Sequence, residues 1–498
     1  MRSAQNRYIT SGEYSDPGTS PNLILQFLFG LNENPDPDAQ ECSAGYNFEL
    51  AYADRSLRPR LPFDLSGTAP NGGAITGIMQ LIKRDNTETT LVCAGTAVYK
   101  WNGASTWTSK GTVTAPARLR DCYYPLTDQL IITDINLNNV VKSWDGTTFG
   151  NLTTGLTKPL KAKYGVIWQD RVWLFNINYD GTNYPHMVLV SQFENPNSYD
   201  TAARGGPTSL GGGTFTTGME AFYILTPDLK PINGVTTYQN SLVISTLRGR
   251  IFQLTGNSSS TYQMQDFYDV VPPIGDEGFS NIGNDAIYVK PGGGIVLLSA
   301  TQAFGNVFTS NLASWIPKTT KNLSAINSLV YDQQNEKVLI WTTNKVLVLY
   351  KDMIAQDKYS VQGMPSPWSV YTTQHPSGFN TSAAKYMVRP GTSDYTVYWG
   401  DSSGHIYDLN GVGSGDGGTY PVICSRTSRH YGSHETPNWR WTSNNVNAEI
   451  DYKVIAQATC QLSLQWDDEY NTTVANVTLK GPASASGATS LDRKSARL

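Results

Sequence analysis

A short hairpin plan recurs along this 498-residue chain and restricts its possible folds more than any other feature. Each copy has an apolar strand, a tight turn, a second strand, and a closing Asn, Asp or Thr followed by Gly. Copies with this ending occupy residues 96–103, 140–146, 249–256 and 404–411. Asn-Gly and Asp-Gly supply positive φ at low cost and are typical of turns between antiparallel strands. Repeated units of this kind predict an all-β repeat fold.

Three further hairpins follow the plan without the closing motif, at residues 171–190, 294–308 and 337–350. The seven hairpins are 39 to 71 residues apart, and the short spacings match the ~40–50 residues of a four-stranded propeller blade. A lone blade cannot bury both faces, whereas blades around an axis bury their facing sides. The expected fold is therefore an all-β β-propeller with seven blades, six being the alternative, and a small appended β-sandwich or sheet.

Composition supports a globular β protein. Charged residues make up 16% of the chain, against a usual ~25%, which excludes an acidic disordered chain and a coiled coil. The net charge of -4 does not mark a nucleic-acid or membrane binder. No apolar run is long enough for a membrane-spanning helix. The five cysteines are widely spaced, which predicts free buried thiols rather than disulfides.

Shifts in pattern suggest four segments. The first 22 residues are polar and contain Gly and Pro, which predicts an extended arm. The propeller is expected over 23–419, with a loop inserted at about 196–231. Longer alternating strands over 420–480 indicate a sheet or sandwich, and 481–498 has the composition of a flexible tail.

The motifs that would carry metal or cofactor chemistry are incomplete. Cys424, His430 and His434 form C-x5-H-x3-H, but the fourth ligand of a zinc site is missing at recognisable spacing. The chain has no P-loop, nucleophile elbow or dinucleotide fingerprint. We expect no enzyme activity, no cofactor, no metal and no catalytic residues.

Propellers include glycosidases, which act through a pair of carboxylates. Asp276-Glu277 and Asp467-Asp468-Glu469 are adjacent and lie in turn contexts, which indicates solvated turns rather than an acid and a nucleophile. Residues 414–420 resemble the Asp-box of sialidase-like propellers. The box occurs once, and it stabilises a turn rather than acting in catalysis.

Basic residues fall in small groups. Arg55, Arg58 and Arg60 form one cluster and Lys158, Lys161 and Lys163 another. Arg118 and Arg120 share one strand face, which we interpret as exposed or interfacial, because DNA binding needs a coherent basic stripe.

The hairpins with the closing motif contain three tryptophans, Trp101, Trp144 and Trp399. We interpret them as packing between blades. The alternative is an aromatic platform for a sugar or a base.

Segments 29–35, 46–50 and 57–62 read Gly-Leu-Asn, a proline-containing acidic loop, an Asn-Phe strand and an Arg-rich turn. This order resembles the opening of β-propeller structural proteins of tailed bacteriophages, most closely the tail nozzle (packaged-DNA-stabilising) proteins of short-tailed phages. Residues 170–175, 190–198 and 439–468 resemble later parts of the same proteins.

The resemblance implies a virion protein of the tail, assembled in the host cytoplasm. Such proteins form a hexameric ring under the adaptor (head-to-tail connector), extend the DNA channel, retain the genome and anchor fibres or spikes. DNA would pass without sequence-specific binding, and no membrane span is implied. The alternative is a host-surface glycan-binding or glycan-cleaving propeller, that is, a receptor-binding protein. A cellular propeller scaffold is a third possibility.

The insertion at 196–231 is the candidate channel or interface loop. Its glycine-rich and aromatic members are Arg204, Gly205, Gly206, Gly211, Gly212, Gly213 and Phe215.

Overall fold

The computed structural model describes most of the chain. The described residues are 42–51, 56–200, 220–258, 261–269, 272–291, 294–299, 325–351, 368–413, 415–420, 422, 425–428, 447–452, 459–467, 472–480 and 492–497. The chain divides into two compact units, Met1–Arg429 and His430–Leu498.

Seven antiparallel sheets follow one another along the first unit, and each is one blade. Blade 1 has Ile75–Ile82, Glu88–Ala94, Ala97–Trp101 and Trp107–Thr112; blade 2 has Leu119–Tyr124, Gln129–Asp134, Lys142–Trp144 and Phe149–Asn151; blade 3 has Leu160–Trp168, Arg171–Tyr179, Thr182–Val190 and Phe222–Leu225; blade 4 has Ile232–Tyr238, Ser241–Thr246, Arg250–Thr255 and Gln263–Asp269. Blade 5 has Phe279–Asn281, Ala286–Lys290 and Gly294–Leu297; blade 6 has Ser328–Asp332, Lys337–Trp341, Val346–Tyr350 and Trp368–Tyr371; blade 7 has Ala383–Val388, Tyr395–Gly400, His405–Asp408 and, from earlier in the chain, Asp64–Thr68.

The ring of blades is closed by a strand that precedes blade 1 in sequence. Asp64–Thr68, the closure strand, pairs antiparallel with His405–Asp408 and completes blade 7. The first strand of every blade contacts the first strands of both neighbours, including blade 7 with blade 1. These first strands are therefore the innermost ones, and the fold is a seven-bladed β-propeller. The predicted fold is confirmed, and the count of seven rather than six is settled.

The hydrophobic core lies between blades. Seven clusters of buried side chains separate the seven blades, each cluster shared by two neighbours. Trp101 lies between blades 7 and 1, Trp144 between blades 1 and 2, and Trp399 between blades 6 and 7. All three are almost fully buried. Their interpretation as packing between blades is confirmed.

Burial also explains the apolar second strands. Ser241–Thr246 is buried at every position, because both of its faces meet a neighbouring blade.

Two cysteines among the described side chains, Cys93 and Cys122, are free thiols, as predicted. Burial raises the pKa of Cys93 to about 11, so it stays protonated.

Among the described residues, four further strand pairs lie outside the blades. In the first unit Cys42–Tyr46 pairs with Ser425–Ser428, and Phe48–Ala51 pairs with Ser56–Pro59. In the second unit Asn447–Tyr452 pairs with Asp492–Arg497, and Thr459–Asp467 pairs with Thr472–Lys480. The strand Asp492–Arg497 differs from the flexible tail expected over 481–498. Its polar sequence has no apolar alternation that would have indicated a strand.

The contact between blades 7 and 1 gives a first prediction. A Cβ built on Gly400 would lie 2.3 Å from Cβ and Cγ2 of Ile75. Gly400→Ala should therefore push these blades apart and lower the free energy of unfolding by about 1–3 kcal/mol, the usual cost of overpacking. Gly150→Ala is the matched control, because its added Cβ meets open space. Urea unfolding of both variants measures this, and equal midpoints would contradict it.

Candidate functional site

The two ends of the propeller differ in the loops they carry. Because neighbouring strands are antiparallel, blade-to-blade connections and second-to-third turns share one end. We call this end, where the innermost strands begin, the entry face. First-to-second and third-to-fourth connections lie at the other end, the exit face.

Charged side chains from opposite sides of the ring meet near the axis at the entry face. Arg118 and Arg120, at the start of the innermost strand of blade 2, both reach Glu277, which precedes the innermost strand of blade 5. The Nη2 of Arg120 lies 2.5 Å from the Oε1 of Glu277, and the Nε of Arg118 lies 3.7 Å from it. Blades 2 and 5 are not neighbours, so these ion pairs cross the axis.

Further pairs extend this group. The Nζ of Lys163 in blade 3 lies 2.6 Å from Oδ1 of Asp276, and the Tyr164 hydroxyl donates to the same oxygen at 3.1 Å. The Nζ of Lys385 in blade 7 lies 2.5 Å from Oδ2 of Asp121 in blade 2. We call these residues the axial network: Arg118, Arg120, Asp121, Lys163, Tyr164, Asp276, Glu277 and Lys385.

Backbone carbonyls bring two more elements into contact with the axial network. Arg118 donates through Nη2 to the carbonyl of Asn327, just before blade 6. Arg120 donates through Nη2 to the carbonyl of Ser382, just before blade 7, at 3.3 Å. The axial network therefore joins blades 2, 3, 5, 6 and 7, and side chains bridge the propeller's own axis.

Four cations and three carboxylates make the axial network nearly neutral. Burial lowers the pKa of Arg118, an effect that the charge of Glu277 opposes. Burial, together with the neighbouring charge of Asp276, raises the pKa of Tyr164 well above its usual value. Tyr164 is therefore held protonated as a hydrogen-bond donor. The arrangement acts chemically as a set of fixed, mutually compensated charges.

Removing the charge at the centre of the axial network gives a second prediction. Glu277→Gln leaves two partly buried arginines without their anion, so we expect it to lower the free energy of unfolding by about 1–3 kcal/mol. Asp180→Asn is the control, because the Lys158–Asp180 pair is half exposed and should matter by less than about 1 kcal/mol. Denaturant titrations of both variants test this. Equal effects would show that the axial network contributes no more than a surface ion pair.

The axial network confirms one sequence interpretation and corrects another. Arg120 lies on the strand Leu119–Tyr124 and Arg118 immediately precedes it, and both contact Glu277 of another blade, which agrees with an interfacial position. Asp276 and Glu277 do not form a solvated turn, because both carboxylates are ion-paired near the axis. Their turn leads into an innermost strand, and only ring closure brings it opposite blade 2.

A second ion pair, between Arg60 and Asp416, is fully buried. It joins the segment that precedes blade 1 in sequence to the segment that follows blade 7. Arg60 donates through Nη1 to Oδ1 of Asp416 at 2.8 Å and also contacts Oδ2. Its Nε donates to Asn47 at 2.9 Å, and its Nη2 donates to the carbonyl of Thr372 at 2.8 Å. We call this group of four residues the clasp.

The clasp corrects the basic cluster predicted around Arg60. Arg60 is only 3% exposed, and its guanidinium lies 5.5–5.9 Å from the ring centroids of Phe63, Tyr371 and Phe379. The guanidinium of Arg60 is therefore buried and does not contribute to a basic surface. Asp416, the acidic residue of the Asp-box-like segment, also accepts from the Phe63 amide at 3.2 Å and from the Thr373 hydroxyl at 2.6 Å, so its carboxylate binds other chain segments rather than its own turn.

The candidate loop residues Arg204, Gly205, Gly206, Gly211, Gly212, Gly213 and Phe215 lie outside the described residues. The chain leaves blade 3 at Val190 and returns at Phe222. Both ends of this third-to-fourth connection lie at the exit face. It is shorter than the insertion predicted at 196–231, because Phe222–Leu225 is the fourth strand of blade 3 and residues 226–231 connect blades 3 and 4. Cys424, His430 and His434 also lie outside the described residues.

Within the part of the chain that the structure describes, no three His, Cys, Asp or Glu side chains are grouped as metal ligands would be. No helix within it is long and apolar enough to cross a membrane.

Comparisons with known proteins identify no family for this chain. No family model matches it, and no curated protein matches it. Among solved structures, virginiamycin B lyase from Staphylococcus aureus aligns at 10% identity and a TM-score of 0.40, over 68% of this chain and 96% of that one. BBS1N in complex with ARL6DN aligns at 9% identity and a TM-score of 0.42, over 70% and 98%. PorZ of the Porphyromonas gingivalis type-IX secretion system aligns at 9% identity and 0.37, over 84% and 46%. Similarities this distant carry no argument about activity or partners.

Proposed function

We propose that this chain is a non-enzymatic structural subunit of a bacteriophage tail nozzle. In this role six copies form a ring beneath the adaptor, extend the DNA channel, retain the packaged genome and anchor fibres or spikes. The sequence resemblance supplies the class of protein. The structural observation that carries the proposal is the closed seven-bladed ring whose axis is bridged by charged side chains.

Under this proposal, the bridged axis bears on the position of the DNA channel. Ion pairs between Arg118, Arg120 and Glu277 cross the centre of the propeller, so a duplex would not pass through a single subunit. A channel would have to lie between several copies arranged around a common axis. Each propeller then acts as a rigid block in the wall of the ring.

The distribution of charge supports a channel through which DNA slides. Several basic side chains are committed to internal ion pairs, among them Arg60, Arg120 and Lys385. They are unavailable for phosphate contacts, which dominate affinity for DNA. The chain has 37 basic and 41 acidic residues, a balance that suits passage rather than retention by binding.

Electron microscopy of isolated tails, with native mass measurement of the purified full chain, tests the proposal. We expect a six-fold ring and an assembly six times the 54.6 kDa mass of the chain. Placement of this chain in a peripheral fibre without six-fold symmetry would overturn the proposal. Binding or hydrolysis of host polysaccharide by a single copy would support the receptor-binding alternative instead.

A further inference from the structure

A histidine lies beside the clasp, in the connection between blades 6 and 7, residues 372–382. The Thr373 hydroxyl donates to Oδ2 of Asp416 at 2.6 Å, and the His375 amide donates to the Thr373 hydroxyl at 3.0 Å. The connection is therefore bonded to the clasp. Like the other blade-to-blade connections, it lies at the entry face.

The same connection is also bonded to the turn of blade 7 that contains Asp401. The Ser377 hydroxyl donates to Oδ2 of Asp401 at 2.7 Å. The carbonyl of Asp401 accepts from the amide of Ile75, the first residue of blade 1, at 2.9 Å. A series of hydrogen bonds thus runs from the clasp, through the connection, to blades 7 and 1. We call residues 373–377 of this connection the latch.

The imidazole of His375 is fixed within the latch by a hydrogen bond to its Nδ1. The Ser377 amide donates to this nitrogen at 3.2 Å. A ring nitrogen accepts a hydrogen bond only when it carries no proton, so His375 is neutral here, with its proton on Nε2. A protonated His375 would carry protons on both nitrogens and would leave the Ser377 amide without this acceptor.

Aromatic side chains surround the imidazole of His375. Its ring centroid lies 5.1–5.5 Å from those of Phe63, Tyr407 and Tyr420. This burial is the largest cause that holds the pKa of His375 below its ordinary value of 6.5. The packing and the hydrogen bond to Nδ1 therefore both favour the neutral form.

Charged groups near His375 act in both directions, but the carboxylates among them already have partners. The titratable and charged side chains around the imidazole are Arg60, Asp401, His405, Tyr407, Asp416 and Tyr420. Asp401 and Asp416 raise the pKa of His375, and His405 lowers it. Asp416 is paired with Arg60. Asp401 accepts from Ser377 and from Nδ1 of His405, at 2.7 and 2.9 Å.

We propose that the latch is a proton-sensitive junction of the propeller, in which protonation of His375 breaks its bond to the Ser377 amide and weakens the link between the clasp and blade 7. The proposal is independent of the nozzle role, because every contact in it lies within one copy of the chain.

The direction of the pH effect follows from linkage. The unfolded chain binds the proton of His375 more readily than the folded chain, since the folded pKa lies below 6.5. The contribution of the latch is therefore complete above about pH 6.5 and is lost as the pH falls below that value.

Replacing His375 by Asn removes the titrating group and keeps the acceptor. An Asn side-chain oxygen accepts from the amide two residues further on in Asx-turns, so the bond from Ser377 is retained. Urea unfolding of both full-length chains, from about pH 8 to about pH 5, gives the protons taken up on unfolding. Near pH 6 the wild type should take up more protons than His375→Asn, by up to about one. Equal pH dependence in the two chains would overturn the proposal.

Two other histidines serve as controls. His186→Asn changes a histidine on Thr182–Val190 of blade 3, outside the latch, and should keep the proton uptake of the wild type. His405→Asn removes the second histidine beside Asp401. Loss of the pH dependence in His405→Asn, without any change in His375→Asn, would assign the effect to His405 and overturn the proposal.

Hydrogen exchange measured by mass spectrometry locates the loosened region. After correction for the intrinsic exchange rate, residues 372–382 and 401–408 of the wild type should lose protection between about pH 8 and about pH 5.5. The loss should be smaller in His375→Asn, and residues 160–190 of blade 3 should keep their protection in both chains. An equal loss of protection in blade 3 and in the latch would overturn a local junction.

Discussion

Replacing Arg60 by Ala should lower the free energy of unfolding of the propeller by about 3–5 kcal/mol, the usual cost of breaking a buried ion pair on one side. Asp416 is fully buried, and the substitution removes the cation from its carboxylate. Asn47 and the carbonyl of Thr372 each lose one hydrogen-bond donor as well. Chemical denaturation followed by tryptophan fluorescence gives the change in stability.

Two companion variants separate the charge effect from general damage. Arg84→Ala removes a cation from an exposed pair with Asp128 and should change the free energy of unfolding by less than about 1 kcal/mol. Adding Asp416→Asn to Arg60→Ala removes the uncompensated charge, so part of the lost stability should return. Loss of under about 1 kcal/mol in Arg60→Ala would show that the clasp does not stabilise the ring.

Local patterns in the sequence were sufficient to predict the blades. A strand, its turn and its hairpin partner lie within about 20 residues, so alternation and Asn-Gly or Asp-Gly turns specify them directly. The hairpin plan also led to the interpretation of Trp101, Trp144 and Trp399 as packing between blades, although Trp101 and Trp144 end third strands and Trp399 lies in a second strand.

Contacts between distant segments were not predictable in this way. Arg60 and Asp416 are 356 positions apart, and no feature of a basic Leu-Arg-Pro-Arg segment indicates a buried partner. The closure strand Asp64–Thr68 is short and mostly polar, so it carries little strand pattern of its own. The axial network was unpredictable for the same reason, because its members come from separate blades and meet only once the ring has closed.

The clasp and the closure strand act at the same place in the ring. The segment from Arg60 to Thr68 passes directly from the clasp into the outermost strand of blade 7. Segments before blade 1 and after blade 7 are thereby fixed to each other. This junction therefore keeps the ring of blades closed.

Replacing Trp399 by Ala should cost about 3–5 kcal/mol of unfolding free energy, as deletion of a large buried aromatic ring does. Trp399 is 0% exposed between blades 6 and 7. Its ring centroid lies 4.5 Å from that of Tyr407 and 5.2 Å from that of Phe63. The cavity would therefore open beside the closure strand, where two blades and the segment leading into that strand meet.

Phenylalanine replacements at two tryptophans separate the contribution of the ring from that of its indole N–H. Within the described residues the Nε1 of Trp399 has no hydrogen-bond partner, so Trp399→Phe should lose packing volume alone. The Nε1 of Trp101 donates to the carbonyl of Ala104 at 2.8 Å, so Trp101→Phe should cost about 1 kcal/mol more. Denaturant midpoints of the Ala and Phe variants measure these differences. Unchanged stability in Trp399→Ala would contradict the packing role and reopen the alternative of an aromatic binding platform.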